Sequence, residues 1–360
     1  MNESDPSDTV PVKLKGVSIG NFKGIKNCEI KDLKDVNLFI GRNGCRKSTI
    51  MEAIYFSGKE LIRPILPRSI GRRSDRTALS ARELWYGYNI SAKIMTELRF
   101  DNNTTYTMTA SASDDLSELQ VTSRIGDERI SRHTLVSRYR IAGFQHLAHG
   151  PPPLISPSAD KIRPYFDRSV FIDPDIKRNI SHLEATYLNL LKLSEDSSSD
   201  LAERTSGIYE TQASWEFLPH PDFSIQTTNR FAILEGNRRL FLDNFGDGLH
   251  YGLAILAIAK TSENTALFVE EIESHQHPNS IKNLVSHLLD IRSRNGLQLF
   301  ITTHSNTALR YFYYYYQNSK DRDKEFRCYH IVSNNETGNV EARTEEGLFN
   351  IQEDLDGRSP

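Results

Sequence analysis

The chain has 360 residues, of which 38% are hydrophobic, and a formal net charge of −3, so it can bury a sizeable core but lacks the polycationic character of a constitutive nucleic-acid binder. Its three cysteines, Cys28, Cys45 and Cys328, are too few and too scattered for a disulfide framework or a metal knuckle. No apolar stretch approaches the length of a membrane span, and the acidic start MNESDPSDTVP is unlike a signal peptide, so we expect a cytoplasmic protein without membrane contact.

The first informative elements in chain order are a strand, a loop and a helix. The apolar run Val36–Ile40 is typical of a buried strand, and residues 48–57 predict a helix with one apolar face. Between them, residues 41–49 read GRNGCRKST. This is the phosphate-binding pattern G-x-x-x-x-G-K-[ST], except that Arg46 stands where a glycine should precede Lys47.

Such a loop directs backbone N–H groups and the helix dipole at an anion. Lys47 would reach the β- and γ-phosphates of a nucleotide, and Ser48 would ligate magnesium. The residues predicted to contact the nucleotide here are Gly41, Asn43, Gly44, Cys45, Arg46, Lys47, Ser48 and Thr49.

A long insertion follows, and its first half predicts an antiparallel sheet. Residues 90–100, 104–111 and 119–125 alternate apolar and polar side chains between turn-forming residues. Before them, Arg63–Arg76 carries five arginines and is either a solvated loop or a contact for a phosphate backbone.

The second half of the insertion predicts mixed elements. After the loop at 151–153, Val170–Ile172 is expected to be a strand and residues 181–193 a helix. The serine-rich, charged residues 194–207 are expected to form a mobile surface loop.

Two later strands end in polar residues. Ala266–Val269 is followed by Glu270, which would hold magnesium through its water shell, and Glu271, which would orient or deprotonate the attacking water. Leu297–Ile301 leads to His304, which could donate a hydrogen bond to the γ-phosphate. The alternative for each segment is a strand whose polar end is solvated and has no catalytic role. Because ligands of open α/β sheets bind at the carboxyl ends of strands, we expect all these motifs at one site.

Three further patterns lie in the second half of the chain. Residues 231–242 predict a β-hairpin that turns at 235–237. The aromatic helix Leu309–Gln317 is expected to serve core or subunit packing rather than base stacking. A loop that faces a second subunit is the favoured interpretation, and a metal cluster the disfavoured one, for the residues Glu271, Glu273, His275 and His277.

Together these motifs resemble the ABC-type ATPases of the SMC/RecF/OLD group, and most closely the stand-alone AAA family ATPases of prokaryotes. The opening strands carry a Phe-Lys-Gly turn at residues 22–24, GRNGCRKST resembles Walker A, FVEEIE resembles Walker B, and FITTHS resembles the switch-histidine loop. Asp243–Ala259 resembles the ABC signature, with Gly-Asp-Gly-Leu in place of Ser-Gly-Gly-Gln.

The resemblance implies an α/β fold: a P-loop ABC-type ATPase head with a mixed central sheet, an antiparallel β lobe and an inserted helical lobe. After a disordered lead at 1–11, residues 12–360 would form a single head. Its core would comprise residues 12–60 and 226–345, around an inserted lobe at about 61–225.

The resemblance also implies ATP and Mg²⁺ as cofactors. Catalysis would rest on Lys47, Glu271 and His304, while Ser48 and Glu270 would bind the metal. The absence of long heptads predicts a head without coiled-coil arms.

Heads of this group pack head-to-tail, which implies a homodimer. The signature residues Gly246, Asp247 and Gly248 of one chain would then contact nucleotide held by the other chain. Only 56 residues (360 − 304) follow His304, too few for the TOPRIM nuclease domain of the OLD branch. We therefore expect a separate nuclease or toxin effector, with DNA as a further partner, in prokaryotic defence or DNA maintenance.

Several departures from the family pattern leave alternatives open. Besides Arg46, Glu270 replaces the commoner aspartate, Ile272 stands where many relatives have proline, and Gln145 is only a weak Q-loop candidate. Arg46 makes a non-hydrolysing nucleotide-binding scaffold the main alternative, because its position normally needs the freedom of glycine. A transporter ATPase is a poorer third hypothesis, since its signature and Q-loop are missing.

Overall fold

The structure, a computed structural model, describes residues 11–62, 81–136, 157–175, 195–209, 217–219, 231–235, 238–241, 245–317 and 322–345. The chain divides into two compact units, one within residues 1–169 and 327–346, the other within residues 170–326 and 347–360. The predictions for residues 1–10, 63–76, 145, 151–153 and 181–193 lie outside the described residues.

The first unit is built on a mixed sheet. Its strand order is β7-β6-β5-β4-β1-β2-β15-β14-β3, antiparallel from β7 to β2, parallel between β2 and β15, and antiparallel between β15 and β14. The strands are β1 (Leu14–Phe22), β2 (Ile25–Ile30), β3 (Val36–Ile40), β4 (Ile94–Phe100), β5 (Thr105–Ala112), β6 (Glu118–Ile125), β7 (Glu128–Val136), β14 (Phe326–Ser333) and β15 (Asn339–Glu345). The helices are α1 (Lys47–Glu60), α2 (Pro157–Asp160) and α3 (Arg163–Asp167), with 3₁₀ turns at Ala81–Leu84 and Tyr86–Tyr88.

The predicted antiparallel lobe is confirmed by β4, β5 and β6, which match the three alternating segments. Along β5 and β6 every second residue is buried, as the pleat requires when one face covers a core. A further strand, β7, was not predicted, because Glu128, Arg129 and Arg132 interrupt the alternation of apolar and polar residues.

The predicted strand and helix around the phosphate-binding loop are also confirmed. All five residues of β3 are buried. Helix α1 begins one residue before the predicted range and ends at Glu60, three residues beyond it. Almost all of its side chains are buried, so packing on every side fixes the helix and hence the loop before it.

The second unit contains a parallel sheet, an antiparallel sheet and five helices within its described part. The parallel sheet has the order β13-β12-β8, and the antiparallel one the order β11-β10-β9. The strands are β8 (Val170–Ile172), β9 (Phe217–Pro219), β10 (Phe231–Glu235), β11 (Arg238–Phe241), β12 (Ala266–Val269) and β13 (Gln298–Thr302). The helices are α4 (Glu195–Ile208), α5 (Asp247–Thr261), α6 (Pro278–Asn295), α7 (Asn306–Tyr316) and α8 (Arg322–Glu325).

The parallel sheet brings two predicted strand ends together. Register pairs Val269 of β12 with Ile301 of β13, so the residues after each strand emerge side by side. Stacked rings fill one face, with centroids 4.8 Å apart for Phe268 and Phe300. The strand bounds at β8 and β12 are as predicted, and β13 is shifted by one residue.

The predicted mobile loop at 194–207 is wrong, because these residues form helix α4. Leu201 and Thr205, one helical turn apart, are fully buried. Arg204 lies on the same helix and bridges Asp200, at 2.8 Å, and Asp290 of α6, at 2.9 Å. The charged residues thus belong to a helix that has ion pairs on its surface and a narrow apolar face in the core. Composition alone does not reveal such a face.

The predicted hairpin and aromatic helix are confirmed. Strands β10 and β11 pair antiparallel. In α7, Phe312 and Tyr316 are buried, and both stack on Phe326, with centroids 6.3 and 5.0 Å from its ring. One face of the aromatic run therefore packs a core, while Tyr314 and Tyr315 are exposed. Within the described residues, no helix combines the length and the apolar character that crossing a membrane requires.

Candidate functional site

The phosphate-binding loop of the first unit joins β3 to α1. Gly41 has a φ of +134°, and a Cβ there would lie 2.6 Å from the carbonyl oxygen of Ile331, so only glycine fits. The Lys47 side chain is 5% exposed. Its Nζ donates to the carbonyl oxygens of Gly41, at 2.9 Å, and Arg42, at 3.1 Å. The lysine ammonium is therefore held inside the loop.

The other predicted loop residues lie around this ammonium in sequence order. Asn43 and Gly44 are exposed, Cys45 is buried, and Ser48 and Thr49 lie half-buried in the first turn of α1. Exposed backbone at Asn43 and Gly44 leads directly into a helix N-terminus, the arrangement that binds phosphate oxygens through backbone N–H groups. The loop therefore fits a nucleotide phosphate.

Arg46 occupies the left-handed conformation that the missing glycine would favour, with φ 80° and ψ 15°. Helix α1 nevertheless begins without a break at Lys47. The arginine side chain lies over Gly24 in the β1–β2 turn, where an added Cβ would be 2.6 Å from Arg46 Cζ. Within the described residues, Arg46 Nε is buried and has no hydrogen-bond partner. The arginine side chain thus fits because the residue opposite it, Gly24, has no side chain.

In the second unit, the strand end after β12 begins with Glu270, which is 7% exposed. Its N–H donates to the carbonyl oxygen of Ile172 on β8, at 2.9 Å, and its carbonyl accepts from the Tyr251 hydroxyl. Burial, followed by the charge of Glu270, holds the pKa of Tyr251 well above its usual value, so the hydroxyl keeps its proton for this bond. Helix α5 therefore fixes the backbone of Glu270.

The next residue, Glu271, has a positive φ of 49°, which is uncommon for a side chain of this type. Its N–H donates to Thr302 Oγ1 at 2.9 Å, and its carboxylate accepts from Ser274 Oγ at 3.2 Å. The other carboxylate oxygen lies 3.8 Å from His304 Nε2. The structure thus brings the predicted base and the predicted switch histidine together.

A third carboxylate, Glu273, takes part in this arrangement. It accepts from Thr303 Oγ1 at 2.7 Å and from the His304 N–H at 2.6 Å. The sequence pattern assigns Glu273 no role beyond the disfavoured metal cluster, although its place in FVEEIE marks it as near the site. In the described part of the chain, no group of three or more His, Cys, Asp or Glu side chains is arranged to hold a metal ion.

The signature residues open helix α5. Gly246 and Asp247 are exposed. The carbonyl of Gly248 accepts from Gln276 Nε2 at 2.6 Å, and the Tyr209 hydroxyl also lies 2.6 Å from it. Neither Gln276 nor Tyr209 has a signal in the sequence, because both act through contacts with distant residues. They tie the signature turn to the loop that follows Glu271.

Three features define a P-loop ATPase of the ABC/SMC type. They are a phosphate-binding loop on a mixed sheet, a strand end with two acids and a switch histidine, and a glycine-rich signature helix. The chain belongs to the family described as "AAA domain, putative AbiEii toxin, Type IV TA system", which matches residues 36–310. The predictions of family and fold class are therefore confirmed.

Individual proteins agree with this assignment. The chain is 23% identical over 327 residues to an "ATP/GTP phosphatase" of Helicobacter pylori (strain ATCC 700392 / 26695), covering 81% of this chain and 85% of that protein. Solved SMC heads share the fold. One is an SMC head bound to the "C-winged helix domain of ScpA", with a TM-score of 0.60, 13% identity, and coverage of 92% of this chain and 97% of that one. Another, from Pyrococcus furiosus, has a TM-score of 0.57, 11% identity, and coverage of 96% and 99%.

Proposed function

We propose that the chain binds ATP with Mg²⁺ and hydrolyses it. The observation that carries the proposal is the 3.8 Å approach of Glu271 to His304, two residues whose backbone N–H groups donate to Thr302 Oγ1 and to the Glu273 carboxylate. A carboxylate beside an imidazole at a strand end can accept a proton from water while the imidazole contacts a phosphate. A purely structural strand end needs neither group.

The remaining roles follow from the loop. Lys47 would leave its carbonyl partners for the β- and γ-phosphates, which offer a full negative charge in place of two dipoles. Ser48 and Glu270 would hold Mg²⁺, which neutralises the charge on the phosphate oxygens when bound. Backbone N–H groups of residues 41–49 would bind the remaining phosphate oxygens.

We further propose that two chains pack head-to-tail around nucleotide. The N-terminus of α5, where Gly246 and Asp247 are exposed and Gly248 is half-buried, is accessible to a phosphate held by a second chain. Nucleotide state would then control a separate effector, a nuclease or toxin, in prokaryotic defence or DNA maintenance. The family description, which names a putative toxin of a type IV toxin–antitoxin system, supports the setting in defence.

The second candidate is a nucleotide-binding scaffold that does not hydrolyse. It rests on Arg46, whose φ of 80° keeps a side chain where glycine is usual. Two observations argue against this scaffold. The arginine side chain lies over Gly24, and Lys47 stays buried in the loop.

ATP turnover by the wild type, Arg46→Gly and Glu271→Gln separates the two candidates. We expect the wild type to hydrolyse ATP and Glu271→Gln to lose roughly 10²-fold or more in kcat, the usual worth of a general base. Glu271→Gln should also form an ATP-dependent dimer, measured by light scattering. Turnover by Arg46→Gly alone would establish the scaffold, and a failure of all three to bind ATP would overturn both candidates.

A further inference from the structure

The antiparallel sheet β4–β7 has one buried and one polar face. Tyr106, Met108 and Ala110 of β5 point into the core, as do Leu119 and Val121 of β6. The intervening residues of both strands therefore share the opposite face, which is more exposed.

A groove with a cavity volume of about 240 Å³ lies on the polar face. Its lining consists of four basic side chains and four short polar ones, without a carboxylate: Lys93, Thr109, Ser111, Gln120, Thr122, Arg124, Arg129 and Arg132. The four basic side chains are exposed. The groove is therefore positively charged, although the whole chain has a formal net charge of −3.

The strand register concentrates this charge. Arg124 of β6 lies directly opposite Arg129 of β7, and Thr122 lies opposite Arg132. Like charges directly opposite each other destabilise a sheet. Within the described residues, none of these arginines has an ion pair, whereas Arg99 of β4 pairs with Glu29 at 3.0 Å and Glu97 at 3.1 Å. The groove arginines therefore have no counter-charge among the residues that the structure describes.

We propose that this groove binds the phosphate backbone of a duplex nucleic acid. Arginine forks bind phosphate oxygens in pairs, and the Thr and Ser hydroxyls between them can donate further hydrogen bonds. From Lys93, the residue before β4, to Arg132 of β7 the cations span three strand spacings, roughly 14 Å, which is more than one small anion requires. The lining contains no aromatic side chain that could stack single-stranded bases, so the contact is with the backbone and is independent of sequence. The proposal does not depend on ATP hydrolysis.

The test measures binding of the full chain to a fluorescent DNA duplex by anisotropy at several salt concentrations. Four phosphate contacts predict that affinity falls roughly 100-fold between 50 and 200 mM salt, because log K changes by about −0.9 per contact for each log unit of salt. The double variant Arg124→Gln/Arg132→Gln should fall only about 10-fold over the same range. Duplex RNA, a second source of the same backbone, should also bind.

A matched control removes two arginines that already have partners. Arg99→Gln/Arg343→Gln changes the net charge equally, and Arg343 pairs with Glu341 at 2.9 Å. We expect this variant to keep the wild-type salt dependence. Equal loss in both double variants, or no binding by the wild type, would overturn the proposal. So would displacement of the duplex by poly-glutamate as readily as by unlabelled duplex, which would indicate an acidic protein as the occupant. Thermal unfolding of each variant verifies that it is folded.

Discussion

At the residue scale, the conformation of Arg46 depends on a second residue that lies outside the phosphate-binding loop in the sequence. It carries a side chain at a φ of 80°, where glycine is the usual residue. Gly24, in the β1–β2 turn, supplies the space for that side chain. Lys23 of the same turn pairs with Glu52 of α1, so two adjacent contacts tie the turn to the helix that bears the loop. The loss of one glycine is thus compatible with the fold because another glycine lies opposite.

We predict that Gly24→Ala lowers the free energy of unfolding by about 1 kcal/mol, because the new Cβ must displace the end of the Arg46 side chain. In an Arg46→Gly background the same substitution should cost much less, since the overlap is gone. Urea denaturation of the four proteins in this double-mutant cycle measures the coupling. Gly20→Ala in β1 is the control, because its nearest heavy atoms lie 3.9 Å away, within ordinary contact. An equal cost of Gly24→Ala in both backgrounds would contradict the pairing.

At the element scale, helix α4 illustrates how ion pairs can resemble disorder in a sequence. Asp200 accepts from Lys260 of α5 at 2.6 Å and from Arg204 at 2.8 Å. Burial acts to raise the pKa of Asp200, but the bonds and charges of Lys260 and Arg204 outweigh it, and the net pKa is lowered. The carboxylate therefore stays ionised, and the charged surface of α4 is bound to its neighbours.

We predict that Leu201→Ala lowers the free energy of unfolding by about 2–5 kcal/mol, because a fully buried leucine leaves a cavity. Glu203→Ala, two residues further along the same helix at an exposed position, should change stability by no more than about 0.5 kcal/mol. Chemical denaturation of both variants is the measurement. Equal, small effects would mean that this segment does not pack as a helix in solution.

At the scale of the whole molecule, the head-to-tail proposal specifies which chain supplies each residue to a nucleotide. Lys47 lies in the first unit, while Glu271, His304 and the signature residue Asp247 lie in the second. The head-to-tail proposal assigns Lys47 and Glu271 of one chain to one nucleotide, and Asp247 of that chain to the partner's nucleotide. Mixed dimers of inactive variants can distinguish these assignments.

We predict that Lys47→Ala and Asp247→Ala, each inactive alone, recover activity when mixed and allowed to exchange subunits. Half of the dimers are then mixed, and each contains one intact site, so ATPase activity should reach about a quarter of the wild-type value. Lys47→Ala mixed with Glu271→Gln is the control, because both changes affect the same site and no intact site can form. Recovery in the control, or none in the test mixture, would contradict head-to-tail sharing.

Local sequence was sufficient for the buried strands and the loop between β3 and α1. Val36–Ile40, Val170–Ile172 and Ala266–Val269 were predicted to the residue, because a strand inside a parallel sheet is almost entirely apolar, with Asn37 the polar exception in these three, and ends where polar residues begin. The same signal located Glu271 and His304 at strand ends, and the parallel register of β12 and β13 brings them together as expected. Their catalytic roles remain predictions.

The contacts that orient these residues come from positions distant in the chain and leave no local pattern. Arg46 depends on Gly24, and Gly248 on Tyr209 and Gln276. Helix α4 is likewise stabilised by packing and ion pairs with α5 and α6, which composition does not reveal. Periodicity and apolar runs report whether a residue is buried, because burial depends on the side chain itself. Which partner a buried or strained side chain finds depends on how the elements pack, and this is a property of the folded chain.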